Sequence, residues 1–132
     1  MATSTYLSNL SALTVNAVDL KDQATQVVFT NSREQLDATA FGTTSRSYVG
    51  GLYNNECTMT LLQSYITAET YQTLAALVGT QTTITAAVTD GATTKTFTLT
   101  NCYLQAMPVI NARLGELSTI DITFTGGVYS VA

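Results

Sequence analysis

Along most of the chain, apolar side chains alternate one-for-one with polar ones, the period of a strand with one face buried and the other wet. Ser11–Leu20 sets Leu13, Val15 and Ala17 against Thr14 and Asn16. Ala24–Thr30 puts Val27 and Phe29 on one face, and Asn31–Glu34 turns polar again. Tyr53–Gln63 repeats the alternation with Cys57, Met59 and Leu61 against Thr58 and Thr60. Thr82–Thr89 does so with Ile84, Ala86 and Val88, and Leu117–Thr125 with Ile120, Ile122 and Phe124. Asp90-Gly91 is a hairpin-turn signal, and Thr94–Gln105 is the partner strand beyond it. The apolar parity of that partner changes from Phe97 and Leu99 to Cys102 and Leu104, the switch that a β-bulge near Thr100-Asn101 produces. Pro108 marks a strand edge or bend, Leu114-Gly115 a turn, and Gly126-Gly127 a break that leaves 128–132 as a tail.

Only 68–78 has the helical period. Tyr71, Leu74, Leu77 and Val78 form one apolar stripe. Thr67 is the expected N-cap, Glu69 lies in the first turn where the helix dipole favours an anion, and Ile66 and Tyr71 are placed as a hydrophobic staple. Gly79 is the expected C′ residue. About seven strands and one helix predict an all-β fold: an antiparallel β-sandwich or flattened barrel with a flanking α-helix, in a single domain over 1–132.

The segment 35–52 obeys neither period. The stretch up to Phe41 could be a strand, but Gly42, Gly50 and Gly51, with Thr43-Thr44-Ser45 between, argue against a packed element, so a long loop is expected. Phe41, Tyr48, Val49 and Leu52 are nevertheless too apolar for an ordinary solvated connection. A long loop carrying aromatics is usually a binding element. Phe41, Arg46, Tyr48, Val49 and Leu52 are therefore the candidate subunit-interface residues. The competing reading folds these side chains back onto the domain's own core.

Composition sharpens the picture. Charged residues make up 11% of the chain against about 25% in typical soluble proteins. With 45% hydrophobic residues the chain is not disordered, and its longest apolar stretches fall far short of a membrane span. The surface must be covered by neutral polar groups, of which 26 threonines are the main supply. Such thin charge fits a surface that faces other subunits, where desolvating charge is costly. It also fits a neutral surface kept soluble by hydroxyls. Five basic residues, Lys21, Arg33, Arg46, Lys95 and Arg113, are spread along a chain of net charge −4, which argues against tight DNA or RNA binding. The two cysteines, Cys57 and Cys102, match no metal or redox spacing and read as buried free thiols rather than a disulfide. Met1–Leu7 lacks a basic region followed by an apolar run, so no secretory signal is expected and synthesis in the cytoplasm is.

The absence of histidine removes the commonest general base and metal ligand. The acids sit mostly beside turns, Asp121 falls on the solvated parity of its strand, and no phosphate-binding glycine motif occurs. No enzyme activity, catalytic residue, metal or cofactor is expected.

The run Glu34–Leu52 resembles the major tail proteins of long-tailed bacteriophages, which commonly carry Asp-x-Thr-x-Phe/Met-Gly-Asp-x-x-Arg/His-x-x-x-x-Gly-Leu. Asp37, Thr39, Phe41, Gly42, Arg46, Gly51 and Leu52 match it, and Thr43 departs from it where an acid is common. The resemblance implies a virion subunit that forms stacked rings, hexameric in that family, around a bore through which DNA passes without being specifically bound. It implies contacts with copies of the chain within and between rings and with other tail proteins, a location in the virion tail, and a segment 35–52 that reaches a neighbour. Two alternatives remain open: a capsid decoration or head-to-tail connector protein of similar sandwich fold, and a carbohydrate-binding module, which the absence of tryptophan disfavours.

Overall fold

A computed structural model describes residues 10–90 and 92–132. The Met1–Leu7 segment and Gly91 of the Asp90-Gly91 turn lie outside the described residues. Among those described are β1 (Leu10–Val15), β2 (Val18–Asp19), β3 (Ala24–Asp37), β4 (Tyr48–Leu62), α1 (Thr70–Ala75), β5 (Gln81–Asp90), β6 (Thr93–Leu104), β7 (Thr119–Thr125) and β8 (Val128–Val131).

The strands form one antiparallel sheet in the order β2-β1-β5-β6-β7-β4-β3. β6 serves both halves: Thr93–Tyr103 pairs with β5, Phe97–Thr100 also takes β8 on its other side, and Tyr103-Leu104 joins β7. The expected all-β fold with one helix is present, and the sheet does not close into a barrel. Alternation places the core where it was read: Cys57, Met59 and Leu61 of β4, Ile120, Ile122 and Phe124 of β7, and Ile84 and Ala86 of β5 are buried together with Leu13, Val15 and Leu99. Val27 and Phe29 of β3 pack against that cluster.

The bulge is present too. Thr82 pairs with Cys102 and Ile84 with Leu99, so β6 carries one extra residue between them, and Asn101 takes a φ of 61°. Gly127 packs on this bulge. Its φ is +89°, and a Cβ there would lie 2.5 Å from the Thr100 carbonyl oxygen and 2.9 Å from the Cys102 nitrogen. Buried Asn55 holds the same place from β4: its Nδ2 donates to the Gly127 carbonyl at 3.1 Å and its backbone carbonyl accepts the Gly126 N–H at 2.9 Å.

Four expectations are corrected. Ser11–Leu20 is two strands, because Asn16 and Ala17 (φ 50° and 66°) make a two-residue hairpin turn of the kind that suits twisted strands. The tail is β8, paired with β6 and anchored by Tyr129 stacked on Phe97. The helix is shorter than 68–78. It starts after Ala68, held at a φ of 65°, and Glu69 rather than Thr67 is the N-cap, its carboxylate taken by the Ser64 hydroxyl. It stops after Ala75 because Leu77 bonds back to Leu74, Val78 bridges to Leu104 and the Gly79 N–H donates to the Leu104 carbonyl. Pairing with β6 thus outcompetes another helical turn. Leu74 and Leu77 still enter the core, but Ile66 is exposed and Tyr71 packs on Tyr65 instead of making the staple.

The fourth correction concerns 35–52. Only 38–47 of this segment is a loop; 35–37 and 48–52 are strand, the outer part of a β-hairpin. β3 and β4 stay paired out to Asp37 and Tyr48, with a register shift between Arg33 and Gln35, and only 38–47 lies outside the ladder. Gly50 and Gly51 sit inside β4. Tyr53 pairs with Arg33 and Gly50 with Gln35, so Gly51 and Leu52 together face Glu34 across a bulge, a place where glycine is at home in a strand. The missing Cβ atoms also let Arg33 and Glu34 lie flat across the partner strand, with Arg33 Nε donating to the Gly51 carbonyl at 2.9 Å.

Both cysteines are free and buried. Burial pushes the Cys102 thiol up to about 11 and raises Cys57 further. Because the thiolate is the reactive form, neither should be alkylated by iodoacetamide at pH 8 in the folded protein, and both should be once it is unfolded. Mass spectrometry of the two samples checks this.

Candidate functional site

β4 is flanked by β7 only from Glu56 to Leu62. From Ser32↔Asn54 outward, β3 and β4 therefore pair only with each other among the described residues, and the ribbon projects roughly 17 Å beyond the sheet before the tip begins. A free two-stranded hairpin is marginal in water. This one continues a ladder already fixed by the core, so its register is set at its base.

All five candidate residues lie on this arm, but not in one cluster. Phe41 stands fully exposed in the tip. Tyr48 opposes Asp37 on one face of the ribbon, and Val49 opposes Leu36 on the other. Leu52 is exposed at the bulge. None of these side chains folds back onto the core. Arg46 differs in kind. Its guanidinium donates to Asp37 at 2.8 Å within the same arm, so its charge is occupied at home. Hydrogen bonds from the Thr39 hydroxyl and backbone N–H, with Arg46 beside them, hold the Asp37 carboxyl below its ordinary value.

Two further features escaped the sequence. Leu36 and Tyr53 add to the exposed apolar surface of the arm, and Arg33 covers the Tyr53 ring at 4.9 Å from its centroid. A second apolar surface is carried by 105–118, the connection between β6 and β7. Val109, Ile110, Leu114 and Leu117 are exposed there, beside exposed Tyr65, whose hydroxyl donates to the Val109 carbonyl at 2.7 Å. Four large apolar residues between Pro108 and Thr119 without any period were the available signal.

The outward face of β4 and β7 has the opposite character. It displays Thr58, Thr60, Thr123 and Thr125 with Glu56 and Asp121, and the Thr60 hydroxyl donates to Asp121 at 2.6 Å. No lysine or arginine lies on that stretch of either strand.

No family model matches the chain, and no curated protein sequence does. Solved structures do. The chain is similar to one in the cryo-EM structure of the PVC extracellular contractile injection system described as its sheath/tube terminator in the extended state, with 14% identity, a TM-score of 0.65, and 97% of this chain and 98% of that one covered. A chain of the PVC sheath-tube complex in the extended state gives 12% identity and a TM-score of 0.66, covering 94% and 88%. A chain from the tail of an empty gene transfer agent particle, solved with C6 symmetry, gives 10% identity and a TM-score of 0.57, covering 83% and 82%. The chain has the tail-tube fold. The long-tailed phage resemblance of Glu34–Leu52 thus gives way to the coarser statement of a fold shared with chains of contractile injection systems and of a phage-like tail.

Proposed function

We propose that the chain is a structural subunit of a tail tube: copies assemble into rings, six to a ring, and the rings stack into a hollow conduit in the tail of a phage or phage-like particle. The observation that carries this reading is the arm, an unshielded ribbon with an apolar tip, on a chain whose fold matches tube components over nearly the whole of both lengths. Six-fold rings follow the symmetry of the gene transfer agent tail. A heterologous contact, in which an arm meets a different surface on the next copy, propagates along an axis instead of closing in a pair. The outer edge of β3, unpaired among the described residues, is available to a neighbour in the ring.

The work of such a tube is mechanical. Cargo such as DNA passes without being held, because a polyanion binds where fixed cations gather. The threonine-covered face of β4 and β7, with Glu56 and Asp121 and no basic residue, is the surface we assign to the bore. Thin charge on the remaining surface keeps the desolvation cost of subunit contacts low.

A second reading is favoured by the match to a sheath/tube terminator: one ring that ends a tube instead of extending it. Negative-stain microscopy of the purified protein separates the two. Long hollow tubes are expected. Single rings that never elongate would favour the terminator, and isolated single chains at high concentration would sink both.

A further inference from the structure

Among the described residues the arm tip 38–47 has no strand neighbour and no core, yet it is tied together by its own polar side chains. The Ala38 N–H donates to the Ser47 carbonyl at 2.8 Å and closes the neck. The Asp37 carboxylate, from the incoming leg, accepts the Thr39 N–H at 2.9 Å through one oxygen and Arg46 Nη1 of the outgoing leg at 2.8 Å through the other. The Thr39 hydroxyl oxygen accepts the Ser47 N–H at 2.8 Å, and the Thr43 hydroxyl donates to the Ala40 carbonyl at 2.8 Å. Gly42 takes the turn at a φ of +90° with open space around it. The polar groups of Asp37, Thr39, Arg46 and Ser47 thus point at one another, and Phe41 alone among the large side chains of the tip points away.

An exposed ion pair adds little to the stability of a fold, so the fold is a poor reason for this arrangement. Docking is a better one. Ordering a slack loop costs about 1–2 kcal/mol per residue fixed, and a loop set beforehand in its bound shape avoids that cost. We infer that Asp37, Thr39 and Arg46 are positioning residues, forming a bracket across the neck of the arm that holds the tip in the shape in which Phe41 docks on a second copy of the chain. The inference rests on the tube-subunit reading. It changes the part played by Arg46, which acts through Phe41 instead of touching the neighbour.

The test measures the critical concentration for assembly of the full chain by pelleting, for wild type, Asp37→Ala, Asp37→Asn, Arg46→Ala, Phe41→Ala and the pairs Asp37→Ala/Arg46→Ala and Asp37→Ala/Phe41→Ala. Thermal melting confirms that each variant is folded. The expected result is a roughly tenfold rise for each bracket variant at unchanged Tm, the size that about 1.4 kcal/mol of lost preorganisation gives. Non-additivity is the signature a merely structural role would not produce. Asp37→Ala/Arg46→Ala should be no worse than either single change, and Asp37→Ala should add little once Phe41 is gone. Hydrogen exchange should show the Thr39 and Ser47 amides protected in wild type and released in Asp37→Ala. Assembly of Asp37→Ala and Arg46→Ala at the wild-type concentration would overturn the inference while leaving the tube reading intact. Wild-type protein that never assembles would overturn both.

Discussion

Replacing Phe41 with serine should leave the protein folded and abolish its polymerisation at concentrations where the wild type assembles. The side chain is fully exposed and touches none of the buried cluster, so the fold loses no packing when it goes. Its large apolar surface at the end of a projecting ribbon has the character of an interface anchor, and truncating such an anchor typically costs about 2 kcal/mol or more. That corresponds to a rise of roughly thirtyfold in the concentration needed for association. Sedimentation velocity across a concentration series, paired with a thermal melt, reads both quantities. Wild-type assembly by Phe41→Ser would show that the arm is not the contact.

Gly127→Ala should have the largest effect on stability of any single methyl added to the chain. Two penalties coincide there. The φ of +89° is one that an alanine adopts only under strain. The new Cβ also meets backbone, the Thr100 carbonyl oxygen and the Cys102 nitrogen, which unlike a flexible side chain cannot swing aside. Relief would require displacing the bulge or pulling Gly127 from Asn55, leaving a buried amide without its acceptor. A loss of at least about 3 kcal/mol is expected, or a fall in Tm of roughly 10 °C in a domain of this size. Gly115→Ala, also at positive φ but with open space around it, is the control and should cost only about 1 kcal/mol. Equal losses at the two positions would refute the packing argument.

Alternation exposed the core because it arises where one face of a strand is buried and the other is not. Cys57, Met59 and Leu61 face the interior while Thr58 and Thr60 face out, and the parity switch before Cys102 records a real bulge at Asn101. The arm lacks that contrast between its faces. Beyond Asn55 neither face of β4 is covered, so the ladder continues through backbone hydrogen bonds with no hydrophobic signature, and glycines that look like a loop sit in a bulge. β8 is four residues long, too short to show a period. In the helix, Val78 sits at helical spacing from Leu74 but serves a bridge to Leu104. The candidate residues were legible as apolar groups out of place. That Arg46 faces inward to Asp37 was not, because the pairing depends on how the tip folds over its neck.

Cryo-EM reconstruction of the assembled protein tests the central claim most directly. The account predicts a hollow tube of stacked six-membered rings, with Phe41 of every arm buried against another copy and the outer face of β4 and β7 turned to the bore. A tube whose arms lie free in solvent, or purified protein that remains as separate single chains at high concentration, would contradict it.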